Sequence, residues 1–231
     1  MTVLMLRLAG PLQAWGDSSR FTRRDSRHEP TKSGVLGLLA AAEGRSREDD
    51  LTDLAGLRFG VRVDQPGRLE RDFQTAIRHS DGKPMPLSYR YYLADAVFLA
   101  AVEGPSELLG ALDAALRRPA YPLYLGRRAC PTEGQVTLGL AETDLETTLR
   151  GQPWLASEWH RREQAKRVLL PVVMDAAPGA EATETVRDVP VSFSSLRREY
   201  VWREVCRPAP VAVDNPHGHD RPDFLAVLGG A

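Results

Sequence analysis

Cysteine is nearly absent: Cys130 and Cys206 are the two in 231 residues. They stand at no metal-ligand spacing and cannot build a disulfide framework, which excludes a zinc module and a stapled secreted domain. Also missing are an apolar run long enough for a membrane span and, at Met1, a charged-then-apolar leader. The cytosol is therefore the expected compartment, and no membrane partner is expected. Neither sign of charge is in excess, the formal net charge being -1, which argues against gripping nucleic acid by bulk electrostatics. Lys32-Ser33 lacks the Gly-x-x-x-x-Gly-Lys lead of a nucleotide phosphate loop. No internal repeat or low-complexity tract occurs.

What is present suits a folded chain. A hydrophobic fraction of 42% and a charged fraction of 26% exclude wholesale disorder. Charge is segregated: Arg20, Arg23, Arg24, Arg27 and Lys32 outweigh Asp25 and Glu29, and the stretch from Arg58 to Arg90 is basic on balance. Acidic residues gather at 43–53 and 142–146.

Thr2 to Leu8 reads as a buried strand ended by Gly10-Pro11. Residues 13–30 form a polar, basic loop long enough to suspect function. A helix follows from Ser33 through Ala42, with Thr31 or Ser33 as its N-cap. The interval from Ser46 to Asp49 suggests a short second helix. Phe59, Val61 and Val63 then alternate on one strand face. Leu69 to Ile77 and Ser88 to Leu93 are the arms of a projecting hairpin, and Ala96 to Val102 is again a strand. Pro105 opens a helix whose face carries Leu108, Leu109, Leu112 and Leu116, and Gln135 to Leu140 supplies another strand.

Strand, helix, strand, strand, helix, strand is the ferredoxin-like order. The expected fold is thus α+β: a ferredoxin-like, RRM-like βαββαβ domain over 1–145, with a thumb insertion at 66–93. A small β-rich region and tail occupy 146–231, with strands at Lys166 to Met174, Val189 to Phe193 and Glu199 to Val205 and an irregular run from Val211.

Two segments carry specific chemistry. One is Leu6-Arg7-Leu8-Ala9-Gly10-Pro11-Leu12-Gln13-Ala14-Trp15-Gly16, followed by Pro30-Thr31-Lys32-Ser33-Gly34; the other is Tyr124-Leu125-Gly126-Arg127-Arg128-Ala129-Cys130-Pro131. With Tyr89-Arg90-Tyr91-Tyr92-Leu93-Ala94-Asp95-Ala96, they resemble the CasD family, the Cas five subunits of type I-E CRISPR systems, within the RAMP superfamily. The resemblance covers residues 1–140 in order and thins beyond them to Arg187-Asp188 and Arg198 to Trp202. It implies a subunit of the RNA-guided Cascade complex that holds the 5′ handle of the guide RNA, with a protruding thumb and no catalytic role. Its implied partners are the guide RNA, the repeated backbone subunit, the large subunit and, indirectly, target DNA. No cofactor is implied.

The residues themselves point the same way. Single-stranded RNA is held by stacking bases on aromatic or arginine planes and by donors to phosphate. The candidate contacts are Gln13, Arg20, Arg24, Lys32, Ser33, Arg90, Tyr124, Gly126, Arg127 and Arg128. Lys32 and Ser33 stand at a helix start, where free N–H groups favour an anion. Tyr124 is read as a stacking platform, its alternative being a half-buried tyrosine closing a strand. Of the adjacent Arg127 and Arg128, one is expected to meet phosphate and the other an internal carboxylate. Trp15 is read as a packing anchor. The competing function is a metal-independent endoribonuclease using His28 or His79 as base. His217 and His219 in the proline-rich tail are read as solvated rather than metal-binding.

Overall fold

The computed structural model describes residues 1–16, 23–177, 179, 181–194 and 196–219. Along the chain come β1 (Thr2–Ala9), β2 (Leu12–Gln13), β3 (Arg23–Arg24), α1 (Lys32–Glu43) and α2 (Thr52–Ala55). Then follow β4 (Arg58–Gln65), β5 (Arg68–Gln74), β6 (Ser88–Ala94), β7 (Val97–Gly104), α3 (Ser106–Arg117), β8 (Thr137–Ala141), α4 (Leu145–Gly151) and α5 (Glu158–Glu163). The last strands are β9 (Arg167–Leu170), β10 (Val172–Asp175), β11 (Glu184–Ser192), β12 (Glu199–Cys206) and β13 (Val211–Asp214).

β1 is apolar at nearly every position, the mark of a strand covered on both faces. It lies between β7 and β8 in a seven-stranded antiparallel sheet of order β11-β12-β10-β4-β7-β1-β8. Leu4, Leu6 and Leu8 point to the side where Leu36, Leu39, Leu109 and Leu112 of α1 and α3 pack. Val3 and Met5 meet Leu145, Leu149 and Trp154 on the other side. The architecture is mixed α/β, mostly antiparallel, with few helices. α1 starts at Thr31, whose hydroxyl accepts from Gly34 N at 3.2 Å, and stops at Gly44 in the left-handed region.

Three expectations change. Ser46 and Asp49 bond each other through Ser46 N and Oγ, both at 2.7 Å, closing a turn instead of starting a helix; α2 begins at Thr52. The strand expected from Lys166 to Met174 splits at Pro171, which has no N–H to give a ladder. Its first half pairs with β13, so part of the supposed tail is a strand, while its second half joins β4. β10, β11 and β12 therefore extend the sheet that contains β1, while β9 and β13 form a two-stranded sheet of their own.

Charge makes that extension firm. Asp175 on β10 accepts from Lys32 Nζ at 2.9 Å, from Phe59 N at 2.9 Å and from Arg203 of β12 at 2.6 Å. Asp188 on β11 accepts from the other side of Arg203 at 2.6 and 3.0 Å and from Lys32 N at 2.8 Å. Burial alone would lower the Arg203 pKa; Asp188 and Asp175 outweigh it and raise it. A second pair, Arg62 and Asp64, is wholly enclosed, and Arg62 also donates to the carbonyls of Leu149, Gln152 and Pro153. Arg62, which falls in the basic stretch from Arg58 to Arg90, is thus an interior residue. Asp188→Ala is expected to cost about 3 kcal/mol, because it leaves Nε and Nη2 of Arg203 and the first N–H of α1 without an acceptor and Arg203 with Asp175 as its one carboxylate. The midpoint of urea unfolding measures this.

Candidate RNA-binding surface

β5 and β6 pair along their length, from Arg68↔Ala94 to Gln74↔Ser88. Every residue of β5 is exposed, whereas β6 buries Tyr92 and Leu93 in the core, so the hairpin is rooted at that end of β6 and its β5 arm stands off the body. Successive side chains alternate between faces, and directly opposed residues share one. One thumb face therefore carries Leu69, Arg71 and Phe73 of β5 opposite Leu93, Tyr91 and Tyr89 of β6. Phe73 is 64% exposed and Tyr89 39%. The Arg71 guanidinium lies over the Tyr89 ring at 5.3 Å, and Arg23 of β3 lies over Tyr91 at 5.2 Å. Asp25 accepts from Arg23 Nε at 2.8 Å, and that bond raises the arginine's pKa. Planar cations and rings alternate here in solvent, an arrangement that offers flat faces to unpaired bases.

The other edge of β6 is occupied in pieces. β3 pairs with it at Tyr89 and Arg90, and β2 pairs at Leu93 and Ala94. Between them Arg127 reaches in. Its guanidinium stacks on Tyr92 at 4.6 Å and donates to Tyr91 O at 3.1 Å and Arg24 O at 2.8 Å. The partners of the inward arginine are thus carbonyls, not the expected carboxylate. Arg128 points outward and is exposed, with no partner among the described residues.

The turn holding these arginines is pressed on the first loop. Ala14 N donates to Leu125 O at 3.1 Å, and Leu125 N to Cys130 O at 2.7 Å. Gly126 has φ +82°, and a Cβ there would overlap the Ala14 carbonyl. Only glycine meets both demands. Tyr124 is half-buried and bridges Pro131 across the turn. Burial pushes the Cys130 thiol up, away from reactivity.

Other expected contacts fall elsewhere. Gln13 is fully buried; its Nε2 donates to Leu8 O and Ala96 O, and its Oε1 accepts from Trp15 Nε1. It is a strut, not an RNA contact. Trp15 is buried against Gly34, as a packing anchor should be. Lys32 and Ser33 are buried as well. The anion at that helix start is Asp188 of the chain itself, which leaves no room for a phosphate. Arg24 is exposed beside Arg128's turn, and Arg90 is half-buried with its Nε unpartnered among the described residues. Arg20 lies outside the described residues. His28 and His79 are exposed, and no group of His, Cys, Asp and Glu among the described residues could hold a metal ion.

Arg71 and Phe73 were not among the expected contacts, and Arg23, Tyr89 and Tyr91 entered only as members of the basic loop and of the quoted strand. Their spacing, Arg71-x-Phe73 and Tyr89-x-Tyr91, was a readable signal; the register that opposes them was not. Gly126→Ala is expected to cost well over about 1 kcal/mol, since an alanine there meets both a positive φ and a carbonyl. Thermal unfolding of the variant checks this.

The model of the CRISPR-associated protein family Cas5 matches residues 3–206. The Cascade subunit CasD of Escherichia coli strain K12 is 35% identical over 160 residues, covering 60% of this chain and 71% of its own. A Cas protein solved by crystallography is 38% identical with a TM-score of 0.71, covering 95% of this chain and 99% of that one. A chain of a CRISPR RNA-guided surveillance complex is 30% identical with a TM-score of 0.74, over 98% and 97% of the two chains. With the family model matched across most of its length, this chain belongs to the Cas5 family of CRISPR-associated proteins.

Proposed function

We propose that the chain is a non-catalytic subunit of a Cascade-type, RNA-guided surveillance complex, and that it caps the 5′ handle of the guide RNA. One observation carries the reading: the exposed thumb face on which Arg71, Arg23, Phe73, Tyr89 and Tyr91 alternate cation and ring. Arg128, Arg24 and Arg90 flank the thumb as donors to phosphate, and Tyr124 offers one further stacking edge. The likeness to CasD and to a surveillance-complex chain supports the assembly. On this reading β4-β7-β1-β8 with α1 and α3 is a ferredoxin-like body, and the thumb is its insertion. The strands after residue 146 supply packing and contacts to neighbours, which would be the repeated backbone subunit and the large subunit; target DNA is met indirectly. The site needs no cofactor, and the complex works in the cytoplasm.

Physically the assignment suits a chain of net charge -1. Stacking on aromatic planes contributes about 1–3 kcal/mol per base and tolerates any sequence. A few local arginines then suffice for phosphate, without a basic surface to attract RNA indiscriminately.

Phe73→Ala with Tyr89→Ala is expected to weaken binding of a handle-bearing guide RNA at least about tenfold by losing stacking, with the melting temperature unchanged because both rings are exposed. Filter binding against a guide of random 5′ sequence and end measures it; unchanged affinity in a folded variant removes the thumb face from the site. Repeat RNA incubated with the protein and a chelator is expected to stay whole. Cleavage abolished by losing His28 or His79 would instead establish the endoribonuclease.

A further inference from the structure

Adjacent arginines in one turn meet very different surroundings. Arg128 is in solvent, whereas Arg127 spends its donors on two carbonyls from separate segments and its plane on Tyr92. The edge of β6 explains why. β3 covers Tyr89 and Arg90, β2 covers Leu93 and Ala94, and the carbonyl of Tyr91 lies in the interval between the two short strands. Arg127 fills that interval and, through Arg24 O, holds β3 in place. Among the described residues β3 comprises Arg23–Arg24, too short to persist by its own ladder. Yet it is β3 that lays Arg23 on the Tyr91 ring, on the thumb face away from Tyr92.

We infer that Arg127 is a positioning residue: it does not touch RNA, but assembles the thumb's stacking face by pinning β3 to β6 from the opposite side. The inference rests on the handle-binding reading for its consequence, and on geometry alone for its cause. Lysine cannot replace it. An ammonium is a point charge without the planar fork that bonds two carbonyls while stacking on a ring. Conservation of charge at this position is therefore no protection, whereas at Arg128 charge is what counts.

The full-length chain is titrated with a synthetic guide RNA bearing the host repeat's 5′ handle, over a range of salt. Arg127→Ala and Arg127→Lys are each expected to weaken binding about tenfold, with the dependence of log affinity on log salt unchanged. Arg128→Ala is expected to flatten that slope by about 0.7, the value of one phosphate contact on a single strand, and Arg128→Lys to restore it. The proposal is overturned if Arg127→Ala flattens the slope and Arg127→Lys restores it, because Arg127 then meets phosphate. It is equally overturned if neither variant changes affinity.

Hydrogen exchange on the RNA-free chain separates this proposal from the functional reading. Both Arg127 variants are expected to speed exchange in the β3–β6 ladder while β1 and β7 stay protected. Unchanged exchange in that ladder sinks the positioning role whatever the RNA result. If the unmodified chain ignores handle RNA but the ladder loosens, the handle reading falls and the positioning of β3 stands.

Discussion

Asp175 and Asp188 cannot be taken out of water alone. A buried carboxylate demands a cation and donors, and breaking such a set leaves an uncompensated charge that costs more than the set ever contributed. Here the two carboxylates share Arg203 between them, and each also takes an atom of Lys32: Asp175 the ammonium, Asp188 the backbone N–H. Lys32 opens α1, Arg203 belongs to β12, and the carboxylates belong to β10 and β11. The helix start can therefore sit in only one place relative to the last strands of the sheet. Apolar packing of Phe59 under Arg203 would tolerate sliding; the bonds do not.

With the body fixed in this way, the periphery is free to be poor in contacts. The thumb leaves the sheet where β4 ends. Gln65 anchors that point: its Nε2 donates to Asp95 O at 2.5 Å, and its Oε1 accepts from Ser157 at 2.8 and 3.1 Å. Beyond it β6 still buries Tyr92 and Leu93 in the core, but β5 is exposed throughout. A strand as exposed as β5 is ordinarily a liability for edge pairing. Its sequence answers with Arg68, Glu70, Arg71 and Asp72, charges that oppose association with another strand while leaving Phe73 and Leu69 on one face. The same device keeps the face soluble and open to flat ligands.

Much of the fold was legible because it rests on local signals. Thr31 is a capping residue three before Gly34, the leucines of α3 repeat at helical spacing, and β1 is an apolar run interrupted within by Arg7 alone. The two arms of the thumb were visible as interruptions in the rhythm. What escaped was decided by partners far along the chain. Lys32 has the signature of an anion site at a helix start, and it does meet an anion, but Asp188 lies 156 positions away. Arg62 alternates like a solvent-facing residue, and only the carbonyls of Leu149, Gln152 and Pro153 and the Asp64 carboxylate make its burial affordable. Gln13 looked polar and loop-borne; it is the bracket that joins β1, the residue just before β7, and Trp15. In each case a polar residue was satisfied by the chain itself, and no composition or spacing distinguishes that from satisfaction by a ligand.

That asymmetry bears on how the proposed site would work. Polar groups committed to the interior are set before any ligand arrives, so the surface that remains needs little adjustment on binding. The arginines laid over Tyr89 and Tyr91 order part of the face in advance, which lowers what binding would spend on ordering it. Such a surface discriminates by shape and by the number of unpaired bases, not by base identity, because every base has a face to stack. A subunit that holds one end of a guide has no need to read the guide, since pairing of the guide with its target reads the sequence. On the proposed reading near-zero net charge would be an advantage: it would withhold affinity from duplexes and from RNA without an end to cap, and leave recognition to the few cations beside the thumb.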